Sequence, residues 1–149
     1  MRAPFQILAL PYRFVNSKPL YCVLHRADHD QWQFIAGGGE DSETPAEAAM
    51  REIFEESGVY AVGLFPLTSM CYVRADCFSV KARANWASDT YVIPEYSFAF
   101  ECNKDITLSS EHKEVIWLTY DEAMKKLEWD SNKTALYELN ERLINKKHI

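Results

Sequence analysis

Three glutamates in residues 37–59 have the carboxylate side chains and the spacing that a metal site requires. The stretch reads GGGEDSETPAEAAMREIFEESGV, and at about 100° per residue Glu52, Glu55 and Glu56 fall on one narrow arc of a helix. Neighbouring like charges on a helix repel each other, so these carboxylates need a counter-charge. Oxygen ligands without a histidine partner favour a hard ion. The sequence therefore predicts a site for Mg²⁺ or Mn²⁺.

The helix that carries these glutamates has clear start and end signals. Thr44 is a predicted N-cap, Pro45 suits the first helical position and Glu47 completes a capping box. Gly58 predicts the end, because glycine adopts left-handed backbone geometry at little cost. The predicted apolar face, opposite the carboxylates, consists of Ala46, Ala49, Met50, Ile53 and Phe54.

Taken alone, the three glutamates have a simpler interpretation, a solvated acidic helix face, which is the usual meaning of a charge run. Arg51 is predicted to pair with Glu47 and Glu55 along the helix edge, and one cation does not neutralise the whole group. Residues 37–39 are glycines, whose bare backbone allows a metal or a phosphate to approach closely.

The whole stretch resembles the Nudix box, G-x5-E-x7-R-E-U-x-E-E-x-G-U with U aliphatic. Every specified position matches, through Gly37, Glu43, Arg51, Glu52, Ile53, Glu55, Glu56, Gly58 and Val59. The resemblance implies an α/β/α sandwich with a mixed β-sheet, in which the box forms a loop–helix–loop unit. It also implies that Glu52, Glu55 and Glu56 bind metal with the Gly37 carbonyl, that Arg51 orients the carboxylates and that Glu43 braces the loop.

A glutamate outside the box commonly completes the site in Nudix enzymes, and Glu111 and Glu114 are the candidates. The SEH tripeptide at 110–112, with WQFIAGGGEDSET, IWL and WDSN, resembles the dihydroneopterin triphosphate diphosphatase and dATP pyrophosphohydrolase branch. This likeness favours Glu111, since Glu114 lies at the edge of a predicted strand and is committed to one face. Glu56 and Glu111 both remain candidates for the general base.

Three further side chains are predicted to contact substrate. Arg26 could bind a phosphate, and Arg83 with Trp86, in residues 73–90, could contact phosphates and stack on a base. The simpler alternative is solvated loop charge for Arg26 and a mobile surface loop for residues 73–90. His25 could carry a proton. The related branch tends to show two consecutive basic residues where this chain has His25 and Arg26, which leaves a preference for pterins open.

Length, charge and cysteine usage narrow the class of protein. The 149 residues, 48% hydrophobic and 26% charged, predict one soluble globular domain over residues 1–149. A net charge of -6 disfavours a nucleic-acid polymer as partner. Neither a signal peptide nor a membrane span is predicted, and the four cysteines form no C-x-x-C pair, so we expect a cytoplasmic protein. The oligomeric state is not indicated.

Apolar patterning predicts the elements that position these groups. Strands are expected at 5–15 and 20–24 as a hairpin, at 32–36, at 95–101 and at 115–118, with strands broken by a bend in 60–72. Thr119 and Glu122 form a second capping box, for a helix that ends at Lys126 or Leu127. Ser131 is predicted to cap a final helix to about Lys146, with inward side chains Leu136, Leu139, Leu143 and Ile144.

Together these features predict a metal-dependent pyrophosphohydrolase. Carboxylate-bound Mg²⁺ neutralises phosphate oxygens and activates an in-line water. The predicted substrate is a nucleoside triphosphate or a close analogue, dATP-like or dihydroneopterin triphosphate, giving monophosphate and pyrophosphate. One alternative is hydrolysis of dinucleoside polyphosphates or of nucleotide sugars such as ADP-ribose. Another is a catalytically silent nucleotide-binding module, against which the intact glutamates argue.

Overall fold

A mixed β-sheet forms the centre of the computed structural model, which describes residues 1–28 and 30–145. The strands are β1 (Arg2–Val15), β2 (Lys18–Arg26), β3 (Trp32–Gln33), β4 (Ile35–Glu40), β5 (Phe65–Arg74), β6 (Val92–Glu101) and β7 (His112–Leu118). The helices are α1 (Pro45–Ser57), α2 (Tyr120–Lys126) and α3 (Asp130–Ile144). The strand order is β3-β2-β1-β6-β5, with β4 on β1 and β7 on β2, and β1 runs parallel to β6.

The predicted hairpin joins β1 and β2. Asn16 and Ser17 have φ angles of 52° and 66°, in the left-handed region that a two-residue hairpin turn requires. β1 extends further than its apolar pattern, because its first residues pair with β4 as far as Arg2 opposite Glu40. The glycine run is part of that pairing: Gly37, Gly38 and Gly39 lie within β4 rather than in the expected loop.

The sheet is covered on both faces, as the α/β/α prediction requires. Successive residues of β1 point in opposite directions, and Leu8 packs with Leu136 of α3 while Ala9 packs with Ile53 of α1. α2 contributes Ala123 to the same side as α3. Within the described residues, no helix is long and apolar enough to cross a membrane.

The ends of α1 are confirmed, but its predicted burial is partly wrong. Thr44 accepts the Glu47 N–H in a complete capping box, and Gly58 ends the helix with φ 72°. Ala46 and Phe54 are exposed, whereas Ala48 is buried. The carboxylate side is not open to solvent throughout. Glu56 is only 3% exposed, because the loop before β7 packs over it.

α2 begins after its predicted capping box and ends at Lys126. α3 begins two residues earlier than expected: Trp129, not Ser131, is the N-cap, and its carbonyl accepts the Asn132 and Lys133 N–H groups at 3.1 Å. Ile144 is 58% exposed instead of inward, since it lies about 100° around the helix from the buried Leu143. The expected helix end at about Lys146 lies outside the described residues.

The stretch predicted as broken strands, 60–72, contains one strand. β5 starts at Phe65, after a bend at Gly63 with φ 73°. β6 confirms the alternation of residues 95–101, with Phe98 packing on the α1 side. Ser97 and Glu95 are nevertheless buried as well, because α3 covers the other face.

Candidate active site

Arg51 joins carboxylates of α1 and of the loop before it into one network. Its Nε donates to Glu43 Oε2 at 2.8 Å, and its Nη2 donates to Glu43 Oε1 at 2.9 Å and to the Gly38 carbonyl at 2.7 Å. Its Nη1 donates to Glu52 at 2.9 Å and to Glu55 at 3.3 Å. The planar guanidinium makes this two-pronged contact with Glu43 where an ammonium group does not. Arg51 therefore ties α1 to the strand and loop before it.

One predicted partner of Arg51 is wrong. Glu47 instead accepts the Thr44 N–H at 2.8 Å in the capping box, while Glu43 takes the place expected for it. Glu43 also accepts the Glu40 N–H at 2.8 Å. It therefore connects the strand end to the helix, in the bracing position that the resemblance implies.

Glu52 lies directly against the Gly37 backbone. A Cβ atom added to Gly37 would come within 2.1 Å of the Glu52 carboxyl carbon, so a side chain at this position would displace the carboxylate. Burial raises the pKa of Glu52 to about 7, even though Arg51 acts in the opposite direction. The bare backbone of Gly37 and the partly buried carboxylate of Glu52 thus lie side by side.

Glu56 meets the loop before β7. Its Oε2 accepts the Ser109 hydroxyl at 3.0 Å and lies 2.8 Å from His112 Nδ1. Its carboxyl group also contacts that of Glu111. Burial acts to raise the pKa of Glu56, but the contacts with His112, Glu111 and Ser109 outweigh it and hold the pKa below its ordinary value. The contact with Glu56 raises the pKa of Glu111.

Glu114 points to a different neighbour. Its Oε1 lies 3.1 Å from His25 Nδ1, while Asp30 Oδ1 lies 2.5 Å from the other ring nitrogen. His25 is buried and its ring stacks on Trp32 at 4.5 Å. The structure thus brings Glu111, and not Glu114, next to the carboxylates of α1. It places His25, a predicted proton carrier, between two carboxylates.

The candidate metal ligands fit a hard divalent ion by their chemistry. They are all oxygen donors, Gly37 offers a bare backbone beside Glu52, and Glu56 and Glu111 contact each other directly. No three Asp, Glu, His or Cys side chains of the described residues form a ready metal cage. In the structure Arg51 engages Glu52 and Glu55, and protein partners also engage Glu56.

Arg26 stands between these carboxylates and a cavity of about 400 Å³. Its guanidinium bonds Asp28 at 2.8 Å through two nitrogens. Hydrogen bonding to Asp28 raises the pKa of Arg26, and the negative charges of Glu111 and Glu56 act in the same direction. The cavity lies between the sheet and the start of α3, and its walls include Gln6, Gln33, Cys77, Glu95, Trp129 and Asn132.

Arg83 and Trp86 have partners near the start of β1. Arg83 Nε donates to the Phe78 carbonyl at 3.1 Å. Trp86 Nε1 donates to the Arg2 carbonyl at 2.8 Å, and its ring packs edge-on against Phe78 at 5.8 Å. These contacts hold the loop between β5 and β6 against β1. Substrate binding by Arg83 and Trp86 stays a prediction.

Three residues near the site are not predicted from the sequence. The Arg2 guanidinium lies where a Gly38 side chain would be, bonds Gln6 and is within electrostatic reach of Glu52. A single basic residue near a chain start gives no signal for this. His112 is part of the SEH tripeptide, but its burial beside Glu56 follows only from the fold. Glu95 lies on the polar side of the alternating pattern in its strand, which predicts exposure to solvent. In the structure α3 covers that side and Glu95 is buried.

Comparison with known proteins agrees with this geometry. Residues 13–139 match the NUDIX domain. A crystal structure from Listeria monocytogenes, of a protein assigned to the Nudix hydrolases, is 45% identical with a TM-score of 0.84 and covers 97% of both chains. The dihydroneopterin triphosphate pyrophosphohydrolase of E. coli has the same fold, with a TM-score of 0.73 at 24% identity over 97% of both chains.

Proteins related in sequence also indicate the Nudix family. An RNA pyrophosphohydrolase of Sulfurovum sp. is 30% identical over 122 residues, which are 76% of this chain and 74% of that protein. Matches to an RNA pyrophosphohydrolase of Psychrobacter sp. and an 8-oxo-(d)GTP phosphatase of Mycolicibacterium smegmatis span only 20% and 35% of those proteins. With the complete box folded around Arg51 and the domain match covering most of its length, this chain belongs to the Nudix family.

Proposed function

We propose that this protein is a divalent-metal-dependent pyrophosphohydrolase. Its substrate is a nucleoside triphosphate or a close analogue, dATP-like or dihydroneopterin triphosphate, and its products are a monophosphate and pyrophosphate. The observation that carries the proposal is the position of Arg26, which lines a ligand-sized cavity and lies within electrostatic reach of Glu56 and Glu111. A triphosphate bound through Arg26 would have its base in the cavity and its phosphates at the carboxylates.

Glu52, Glu55, Glu56 and Glu111, with the Gly37 carbonyl, would hold Mg²⁺ or Mn²⁺. When bound, the ion supplies positive charge to the phosphate oxygens and lowers the pKa of water. Arg51 keeps Glu52 and Glu55 in place beside Gly37. Arg26 takes a phosphate oxygen, for which its present partner Asp28 is a carboxylate of similar geometry.

The proton of the attacking water goes to Glu56 or Glu111. The two carboxyl groups lie against each other, so either is placed to accept it. As the water oxygen bonds to phosphorus, the opposite P–O bond breaks and pyrophosphate leaves. Ser109 and His112 hold Glu56 in position for this role.

The alternatives differ in what is attached to the diphosphate. Dinucleoside polyphosphates and ADP-ribose contain the same anhydride. The name of the Sulfurovum relative, an RNA pyrophosphohydrolase, suggests the 5′-triphosphate end of RNA as a further candidate substrate. A catalytically silent nucleotide-binding module is the alternative from another class. The complete set of box residues and their assembly around Arg51 support an enzyme.

A substrate screen tests the proposal. Purified protein is incubated with deoxynucleoside triphosphates, dihydroneopterin triphosphate, dinucleoside polyphosphates, ADP-ribose and 5′-triphosphorylated RNA, with Mg²⁺, with Mn²⁺ and with EDTA. We expect pyrophosphate from a triphosphate, and none in EDTA. Orthophosphate as the first product, turnover in EDTA, or preference for a dinucleotide would contradict the proposed reaction.

A further inference from the structure

Glu95 is a buried carboxyl group in the wall of the cavity beside Arg26. It lies on β6, is 8% exposed, and lines this cavity and a smaller one of about 160 Å³. In the described part of the chain its hydrogen-bond partners are the Cys71 thiol, at 3.5 Å, and the Ser131 hydroxyl. Both are neutral. A buried carboxylate without a cation is costly, and in a cavity wall it marks a candidate binding group.

The surrounding side chains present hydrogen-bond donors to Glu95. The Phe34 N–H donates to Asn132 Oδ1 at 2.9 Å, and since a backbone N–H only donates, the amide of Asn132 has one orientation. Its Nδ2 therefore donates to Ser131 Oγ, at 3.3 Å. The Ser131 hydroxyl proton remains for Glu95. Burial raises the pKa of Glu95, and the hydrogen bonds from Cys71 and Ser131 oppose that rise.

We propose that Glu95 recognises the base of the substrate, and that the preferred base carries a ring N–H next to an exocyclic amino group. Guanine and pterins have this pair of donors. The inference rests on the proposed function and selects among its substrates. It assigns Glu95 the role of a specificity-determining residue, since the carboxyl group would contact the base and not the reacting phosphates.

The chemistry of the base edges separates the candidates. A carboxylate offers two acceptor oxygens side by side, which match two parallel N–H donors. Guanine presents N1–H and the 2-amino group, and a pterin presents N3–H and its 2-amino group. Adenine presents an amino group next to an acceptor nitrogen, so one carboxylate oxygen would face a lone pair. Hypoxanthine retains the ring N–H and lacks the amino group.

The rest of the cavity suits a flat ring. Trp129 lies in its wall and is 49% exposed, which supplies an aromatic side chain on which a flat base could stack. Arg26 is on β2, whereas Glu95 is on β6, beyond β1 in the strand order. The cavity thus has the Arg26 cation on the side near Glu56 and Glu111, and the Glu95 acceptor on the opposite side. This polarity matches a molecule with phosphates at one end and N–H donors at the other.

The first test needs no variant. We compare kcat/KM of the full-length protein with Mg²⁺ for dGTP, dITP and dATP. We expect dGTP to exceed dITP by about 10-fold to 100-fold, the range of one hydrogen bond to a charged group, and dATP to be poorer than dGTP by at least as much. Equal rates for dGTP and dITP, or a preference for dATP, would overturn the role of Glu95.

The second test changes the acceptor. Glu95→Gln keeps the size of the side chain but replaces one acceptor oxygen by a donor. We expect it to reduce kcat/KM for dGTP by about 10-fold to 100-fold, mainly through KM, and to change dATP little. Glu101→Gln, at the exposed end of the same strand, is the control and should match the wild type. Equal losses for dGTP and dATP would show a structural effect and contradict base recognition.

A binding measurement separates this inference from the proposed function. Calorimetry with dGMP, dIMP and dAMP requires no turnover. If the protein hydrolyses no triphosphate but binds dGMP more tightly than dIMP and dAMP, the proposed reaction fails and the role of Glu95 stands. If it hydrolyses all three triphosphates and binds the three monophosphates alike, the reaction stands and the role of Glu95 fails.

Discussion

At the level of single residues, Glu111 and Glu114 are three positions apart and have different neighbours, and only Glu111 adjoins the proposed site. Glu111 contacts Glu56, and its backbone carbonyl accepts the Ala27 N–H at 2.8 Å, which holds the loop against the end of β2. Glu114 contacts His25, and its side chain is 60% exposed. Proximity to the α1 carboxylates therefore selects Glu111 as the further carboxylate of the proposed site.

Glu111→Gln is expected to lower kcat by about 10-fold to 10³-fold, because an amide neither accepts the proton of water nor binds a hard ion as well. Glu114→Gln is the matched control and should lose much less. Both are measured at saturating substrate across pH. A silent Glu111→Gln beside a severely impaired Glu114→Gln would show that the second carboxylate, not the first, serves the reaction.

Arg51→Ala is expected to reduce both activity and stability. Removal of the guanidinium leaves Glu43, Glu52 and Glu55 without their common partner, and a hydrogen bond to a charged group contributes roughly 1.5–3 kcal/mol. Bound Mg²⁺ would supply a replacement charge, so the loss of melting temperature should shrink when Mg²⁺ is added. Equal losses with and without Mg²⁺ would count against Arg51 acting through the carboxylates.

At the scale of elements, a glutamate of α3 fastens that helix to β5. Glu138 accepts the backbone N–H groups of Thr68 and Ser69, each at 2.7 Å, and pairs with Arg142 at 2.6 Å. Burial acts to raise the pKa of Glu138, but these hydrogen bonds and Arg142 outweigh it, so the pKa lies below the ordinary 4.5. The ionised carboxylate therefore stabilises the contact of α3 with the sheet.

The lowered pKa predicts a pH-dependent contribution to stability. It is fully present above the unfolded pKa and is lost as the pH falls through the lower, folded pKa. Glu138→Gln should lower the melting temperature at pH 7 by about 2–6 °C, and the difference from wild type should shrink in acid. Glu141→Gln, exposed on the same helix, is the control. A difference that stays constant down to pH 3 would contradict the assignment.

At the scale of the whole molecule, metal binding should couple the site to global stability. An ion that binds only the folded state stabilises it by about 2.7 kcal/mol at 100 times its dissociation constant. We expect Mg²⁺ to raise the melting temperature of the wild type relative to EDTA. Glu56→Gln should remain folded, lose most of this shift and lose on the order of 10² in turnover. An unchanged shift in the variant would mean that the ion binds elsewhere.

Local signals in the sequence predict α1 well and its surroundings less well. Thr44 and Gly58 act within a few residues of their own position, so the helix ends can be predicted from the chain alone. Partners distant in sequence cannot: the burial of Glu56 requires β7 to be placed beside α1. The alternation in β6 predicts an apolar face and a polar face. It does not predict that α3 covers Glu95, which depends on the whole architecture.

The parallel pairing of β1 with β6 has a consequence for the order of folding. Gln6 pairs with Glu95, about 90 positions later, whereas its pairing with Gly38 closes a much shorter loop. Since closure of a longer loop costs more entropy and slows folding, we expect the first hairpin, β4 and α1 to associate before β6 joins them. Glu52 and Arg51 would then take their positions early in folding, and the cavity wall that contains Glu95 would form only when β6 joins the sheet.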